Sequence, residues 1–149
     1  MAVIECIQEI PCNVCEKVCP RGAIRIGKSI TSLPQLNQDR CTGCGTCIPF
    51  CPGLAVFVVD ATFSTKEALV SFPYEFLPLP RIGSEVWASD REGKIVARGK
   101  VVRVLRRDRF DDTAVVSISI PKKFVQCVRG IGRRGLIKGG QKRCNFGLS

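Results

Sequence analysis

Residues 113–120 alternate apolar and polar side chains. Val116, Ile118 and Ile120 point one way, Ser117 and Ser119 the other, which is the period-two signature of a strand. Residues 85–89 read as another strand, with Asp90-Arg91-Glu92-Gly93 as its turn. Residues 94–105 are rich in β-branched side chains, and a charged turn follows over 106–112. Pro121 predicts the start of a short helix that carries Phe124 and Val128 at i,i+4 and closes at Gly130. Apolar runs in the first third are shorter. A strand and turn are expected over 24–30, broken at Gly27, and a buried strand over 55–59. Between these regions, Phe72-Pro73-Tyr74-Glu75-Phe76-Leu77-Pro78-Leu79-Pro80 holds three prolines, which excludes a helix interior or a central strand. The pattern divides the chain into a cysteine-rich unit (1–60), a Pro/aromatic connector (61–80), a small β module with a short helix (81–131) and a basic tail (132–149) expected to be flexible.

The first unit repeats itself. Cys12-Asn13-Val14-Cys15-Glu16-Lys17-Val18-Cys19-Pro20 leads into an apolar run, and so does Cys44-Gly45-Thr46-Cys47-Ile48-Pro49-Phe50-Cys51-Pro52, 32 residues later. Two such units are expected to pack together, because neither alone can bury its apolar face.

Eight of the ten cysteines lie in the first 51 residues. Cys41, Cys44, Cys47 and Cys51-Pro52 form the run C-x2-C-x2-C-x3-C-P, in which three thiolates grip one iron–sulfur cube and the fourth ligates the neighbouring cube. Gly43 and Gly45 let the backbone wrap closely round it. A zinc ribbon needs only two separated Cys-x2-Cys pairs, so it leaves the third and fourth cysteines unexplained. The first run is irregular. Glu9 stands where a cysteine is expected, and Cys6 lies three residues further back. Crossing the fourth ligands predicts one 4Fe-4S cluster on Cys6, Cys12, Cys15 and Cys51, and a second on Cys41, Cys44, Cys47 and Cys19. The other readings of the first site are a three-iron or an empty site, with Cys6 a core thiol. Cys127 reads as a packed thiol on the terminal helix, and Cys144 as an incidental thiol in the tail.

Composition narrows the chemistry. The 149 residues include no histidine, which removes Ser-His-Asp and Cys-His catalysis, Rieske clusters and His-ligated zinc. No apolar run is long enough to span a bilayer. The first residues lack the pattern of a secretory signal. A cytoplasmic location is therefore expected, with thiols kept reduced for metal. Residues 1–60 carry five basic and five acidic side chains, residues 61–131 thirteen and eight, and residues 132–149 five and none. Two bound clusters would leave the first unit anionic, about −4, against a cationic second half. The cluster Arg98, Lys100, Arg103, Arg106, Arg107 and Arg109 reads as a protein-docking surface ahead of a solvated face. Nucleic acid is the least favoured partner, because stacking aromatics are sparse.

Residues 1–60 resemble a two-cluster bacterial ferredoxin. That resemblance implies a pseudo-symmetric α+β sandwich of four strands and two short helices. The four short strands and C-terminal helix of the second unit suggest a small barrel-like all-β module or a curled sheet. The stretches Ile4-Glu5-Cys6-Ile7-Gln8-Glu9-Ile10-Pro11-Cys12, Cys47-Ile48-Pro49-Phe50-Cys51-Pro52-Gly53-Leu54-Ala55 and Pro73-Tyr74-Glu75-Phe76-Leu77-Pro78-Leu79-Pro80 narrow it further. They are similar to the small iron–sulfur subunit of multi-subunit, flavin-dependent proline or hydroxyproline dehydrogenases, whose flavoprotein chains are sarcosine-oxidase-like. This likeness implies an electron-transfer subunit in a hetero-oligomer. Its flavoprotein partners would hold FAD or FMN, and electrons would pass singly to a second flavin or an external acceptor. The chain alone is expected to turn over no substrate. The alternatives are a free ferredoxin that serves several oxidoreductases, and an iron–sulfur nucleic-acid-binding or regulatory protein. Ile24, Ile26, Ile48, Ala55 and Val56 are expected to form the apolar jacket.

Overall fold

A computed structural model describes residues 1–110 and 112–132. Its elements in chain order are β1 (Ala2–Ile4), helix α1 (Val14–Val18), β2 (Ile24–Arg25), β3 (Gln35–Leu36), β4 (Val56–Asp60), β5 (Glu67–Tyr74), β6 (Glu85–Ser89), β7 (Ile95–Leu105), β8 (Ala114–Pro121) and β9 (Gly130–Ile131). Two strands, β2 and β3, form a hairpin of their own. The other seven form one antiparallel sheet in the order β1-β4-β5-β8-β7-β6-β9. No helix among the described residues is long and apolar enough to cross a membrane.

Period-two alternation explains how this sheet serves both halves of the chain. On β4, Phe57 enters one core with Val70, Phe72, Val116, Ile118 and Ile120. Its neighbours Val56 and Val58 turn the other way, into a second core with Ala2, Ile24, Cys47, Ile48 and Val115. The cysteine loops therefore rest on one face of a sheet whose other face packs the β-rich half. The β4–β5 ladder joins the two halves through Val58↔Ser71, Val59↔Val70 and Asp60↔Leu69.

Register at the centre is marked by a polar pair. Ser71 and Ser117 lie directly opposite on β5 and β8. Their hydroxyls share a 2.7 Å hydrogen bond and are buried, so each satisfies the other away from water. Gly99 on β7 is needed for close approach, because a Cβ there would stand 2.9 Å from the Ser119 carbonyl oxygen.

Several expectations are corrected. The sheet stays open: its ends are β1 and β9, and no barrel closes among the described residues. The predicted C-terminal helix is a single 3-10 turn at Lys122–Phe124. Only the Val128 N–H to Phe124 carbonyl bond, 3.1 Å, keeps the i,i+4 relation, and Gly130 opens β9. Residues 67–74 are a strand inside the expected connector. β4 pairs with β5 only through residues 69–71, so Pro73 lies where one edge of β5 is free, as a proline in a strand requires. The cysteine-rich unit has its four strands but one helix, because residues 47–50 form turns. Cys127 is buried and disulfide-bonded, not a free packed thiol. Cys144 and the tail from residue 133 fall outside the described residues.

The hydroxyl pair generates a stability prediction. Ser71→Ala or Ser117→Ala alone should lower unfolding stability by about 1–2 kcal/mol, since each strands a buried hydroxyl. The double variant should recover most of that loss. Urea unfolding of all four proteins reads the coupling, and additive losses would contradict the paired arrangement.

Candidate metal centre

The repeat builds the same turn twice. After Cys19-Pro20, Gly22 adopts φ +57°, donates its N–H to the Cys19 carbonyl at 3.2 Å, and Ala23 donates to Cys19 Sγ at 3.3 Å. After Cys51-Pro52, Leu54 adopts φ 49°, donates to the Cys51 carbonyl at 3.1 Å, and Ala55 donates to Cys51 Sγ at 3.4 Å. A left-handed residue three places after the thiol thus swings the next amide onto the sulfur. Gly22 adopts that conformation freely, whereas Leu54 bears strain there.

These turns carry their thiols across to the opposite repeat. Cys6, Cys12, Cys15 and Cys51 line a cavity of about 290 Å³. Cys19, Cys41, Cys44 and Cys47 line a tighter one of about 20 Å³. All eight are free thiols. Each set of four expected from the crossed spacing thus lines one cavity. Charge coupling joins Cys15 to Cys12 and Cys51, and Cys47 to Cys19, Cys41 and Cys44, whereas Cys6 is placed beside its set by the cavity lining alone. Glu9 is absent from the first cavity's lining. Among the described residues, no three cysteine or carboxylate side chains converge on a single metal ion, so each set stands round a space and not a point.

Electrostatics separates the thiols. Burial, with smaller contributions from nearby Cys44, Cys19 and Cys41, pushes Cys47 up to about 12. Burial also raises Cys15, with Cys51 and Cys12 adding to it. Such thiols ionise readily only when a metal neutralises them. Cys44 is the exposed member. Burial pushes it up, but hydrogen bonds from Thr46 and Thr42 outweigh that, and its net shift is downward. The Ala2 amide donates to Cys41 Sγ at 3.3 Å, which ties β1 to the second set. Gly43 (φ +69°) permits this closure, because a Cβ there would meet the Met1 nitrogen at 3.2 Å. The donor set fits iron–sulfur chemistry: four thiols each, sulfur-directed amides, and Ile24, Ile48, Ala55 and Val56 buried around them. Ile26, the fifth jacket residue expected, lines the first cavity instead of the core.

One feature beside the first cavity escapes sequence reading. Glu5, next to Cys6, accepts from Arg129 Nε at 2.6 Å and from Arg91 Nη1 at 3.0 Å. Arg129 also donates to the Val125 and Val128 carbonyls, at 3.2 and 2.7 Å. Both guanidiniums stack over Phe57, at 5.4 and 5.7 Å. The far end of the described chain thus clamps the loop that delivers Cys6. A contact spanning 124 residues leaves no local signal.

Residues 5–55 match the family described as a 4Fe-4S dicluster domain. Over 47 residues the chain is 45% identical to an ion-translocating oxidoreductase complex subunit of Methanosarcina acetivorans, covering 32% of this chain and 17% of that protein. Over 56 residues it is 36% identical to the ferredoxin-type protein NapF of Haemophilus influenzae, covering 36% and 32%. Over 40 residues it is 45% identical to a Na(+)-translocating ferredoxin:NAD(+) oxidoreductase complex subunit of Acetobacterium woodii, covering 27% and 11%. The chain spans at most about a third of the length of these relatives. No solved structure matches it. The similarities support a ferredoxin-like iron–sulfur domain over that stretch.

The clamp yields a second prediction. Arg129→Met should cost about 2–4 kcal/mol in denaturant unfolding, because it leaves two carbonyls and part of a carboxylate without their donor. Glu5 keeps Arg91 and some solvent, which holds the loss to that range. An unchanged midpoint would show that the clamp is idle.

Proposed function

We propose that the chain is an iron–sulfur electron-transfer subunit. One 4Fe-4S cluster would be held by Cys6, Cys12, Cys15 and Cys51, the other by Cys19, Cys41, Cys44 and Cys47. The observation that carries this reading is the exchange of fourth thiols, with Cys51 in the first cavity and Cys19 in the second. A zinc ribbon takes its four ligands from two separated Cys-x2-Cys pairs, which leaves the C-x2-C-x2-C-x3-C spacing unexplained. When bound, the clusters supply one-electron redox chemistry. The chain's own residues orient and protect them. The amides of Ala2, Ala23 and Ala55 stabilise negative charge on sulfur, and the buried aliphatic jacket excludes water.

The finer reading is a fixed subunit of a flavin-dependent dehydrogenase. It would take electrons from FAD or FMN on a flavoprotein partner and pass them to a second flavin or external acceptor. Proline or hydroxyproline oxidation is the activity proposed, on the resemblance of residues 4–12, 47–55 and 73–80. Exposed Ile7 and Ile10 beside the first cavity, and Leu77 and Ile82 after β5, support a permanent interface, since such side chains are costly to leave wet.

Anaerobically purified protein should contain about eight irons and eight sulfides per chain, and Cys6→Ala about four of each. Four in the wild type would remove Cys6 from the ligand set, and zinc in place of iron would overturn the redox reading. On size exclusion of native extract, the chain should elute with flavoprotein subunits. A monomer alone would overturn the subunit reading.

A further inference from the structure

The two thiol sets meet the surface differently. The first is rimmed by aliphatic side chains, among them Ile7 and Ile10. Beside the second, a shallow cavity of about 100 Å³ is lined by Cys44, Arg103, Arg107, Arg109 and Phe110. No acidic residue lines it. Among the described residues, none of these three arginines forms an ion pair. The described acids nearby do not alter this: Asp112 pairs with Arg106 at 2.7 Å, and Asp108 does not line the cavity.

Two of the three arginines are held in place. Phe110 is buried, and its ring meets Phe50 edge-on at 5.7 Å. Phe50 lies between Cys47 and Cys51, so the β7–β8 loop is pinned to the cysteine loop itself. Arg107 and Arg109 stand 5.9 and 5.7 Å from the Phe110 centroid, contacts that restrict both side chains. Pre-ordered cations give up less entropy on meeting an anion.

We propose that this rim is the docking face for a redox partner protein with an acidic surface, and that Cys44 is the point where electrons cross. The proposal rests on a cluster being bound by Cys19, Cys41, Cys44 and Cys47. Such a site carries about −2 against three guanidiniums, so the rim stays cationic. The cavity is far smaller than the roughly 300–1,000 Å³ that encloses a cofactor or drug-sized ligand, which favours a protein surface over a small anion. Nucleic acid is disfavoured because the cavity's aromatic ring, Phe110, is buried and unavailable for stacking.

The test is stopped-flow oxidation of the reduced, iron-loaded protein by an acidic flavodoxin and by a basic cytochrome c. In each case one electron leaves the protein and one acceptor molecule gains it; the flavin semiquinone formed in flavodoxin also takes up one proton from solvent, and no other bond is made or broken. Three proteins are compared: wild type, R103Q/R107Q/R109Q, and K66Q/K122Q/K123Q, which removes equal charge elsewhere. The flavodoxin rate at low salt should fall about tenfold in the arginine variant, lose most of its salt dependence, and barely change in the lysine variant. The cytochrome c rate should not fall. Iron and sulfide are counted on every sample. A wild type that loads no iron overturns the cluster reading and this proposal together. An iron-loaded arginine variant as fast as wild type overturns the docking face alone. Loss of single-stranded oligonucleotide binding in that variant, with unchanged electron transfer, would assign the rim to nucleic acid instead.

Discussion

On the proposed ligation, the cysteine-rich half depends on one constraint: each set of four thiols must take a member from the other repeat. Cys51 has to reach the loop of Cys12 and Cys15, and Cys19 the loop of Cys41, Cys44 and Cys47. Neither repeat can complete its site alone. The two must face each other with their Cys-Pro turns crossing, and the left-handed residues Gly22 and Leu54 set the same exit from both turns. From those exits the chain runs into β2 and β4, and Ile24 and Val56 meet in one core beneath the thiols.

β4 transmits that arrangement to the rest of the molecule. Its alternating side chains belong to two cores at once, so the strand beneath the thiols is also an inner strand of the larger sheet. Two further ties cross the same divide: the Glu5–Arg129–Arg91 clamp beside Cys6, and the Phe50–Phe110 contact beside Cys47. One lies at each thiol set. The β-rich half is therefore positioned to brace both loops, which a small diffusing carrier would not need.

Much of the site was legible because its chemistry is local. Thiol spacing, the repeat at 32 residues and the alanine four places after each Cys-Pro cysteine are all visible in the chain. So were β6, β7 and β8, where β-branched residues alternate or run between turn signals. β5 was hidden by Pro73, whose penalty vanishes at a free strand edge that no single sequence reveals. Four short strands and a terminal helix led to the expectation of a small barrel or curled sheet. In the structure, β4 and β5 extend the sheet instead, and the cysteine loops cover one face. The terminal helix lost to β9, because Gly130 and Ile131 pair with Ser89 and Ala88. The clamp on Glu5 had no signal at all, since its partners lie 86 and 124 residues away.

The most direct test of the crossed arrangement is electron paramagnetic resonance of the fully reduced protein, with spins counted per chain. Two clusters held by interleaved loops must lie close together, so the account predicts a broadened, spin-coupled signal that integrates to about two spins. A single sharp signal of about one spin would contradict it, because only one of the two four-thiol sites would then hold a working cluster.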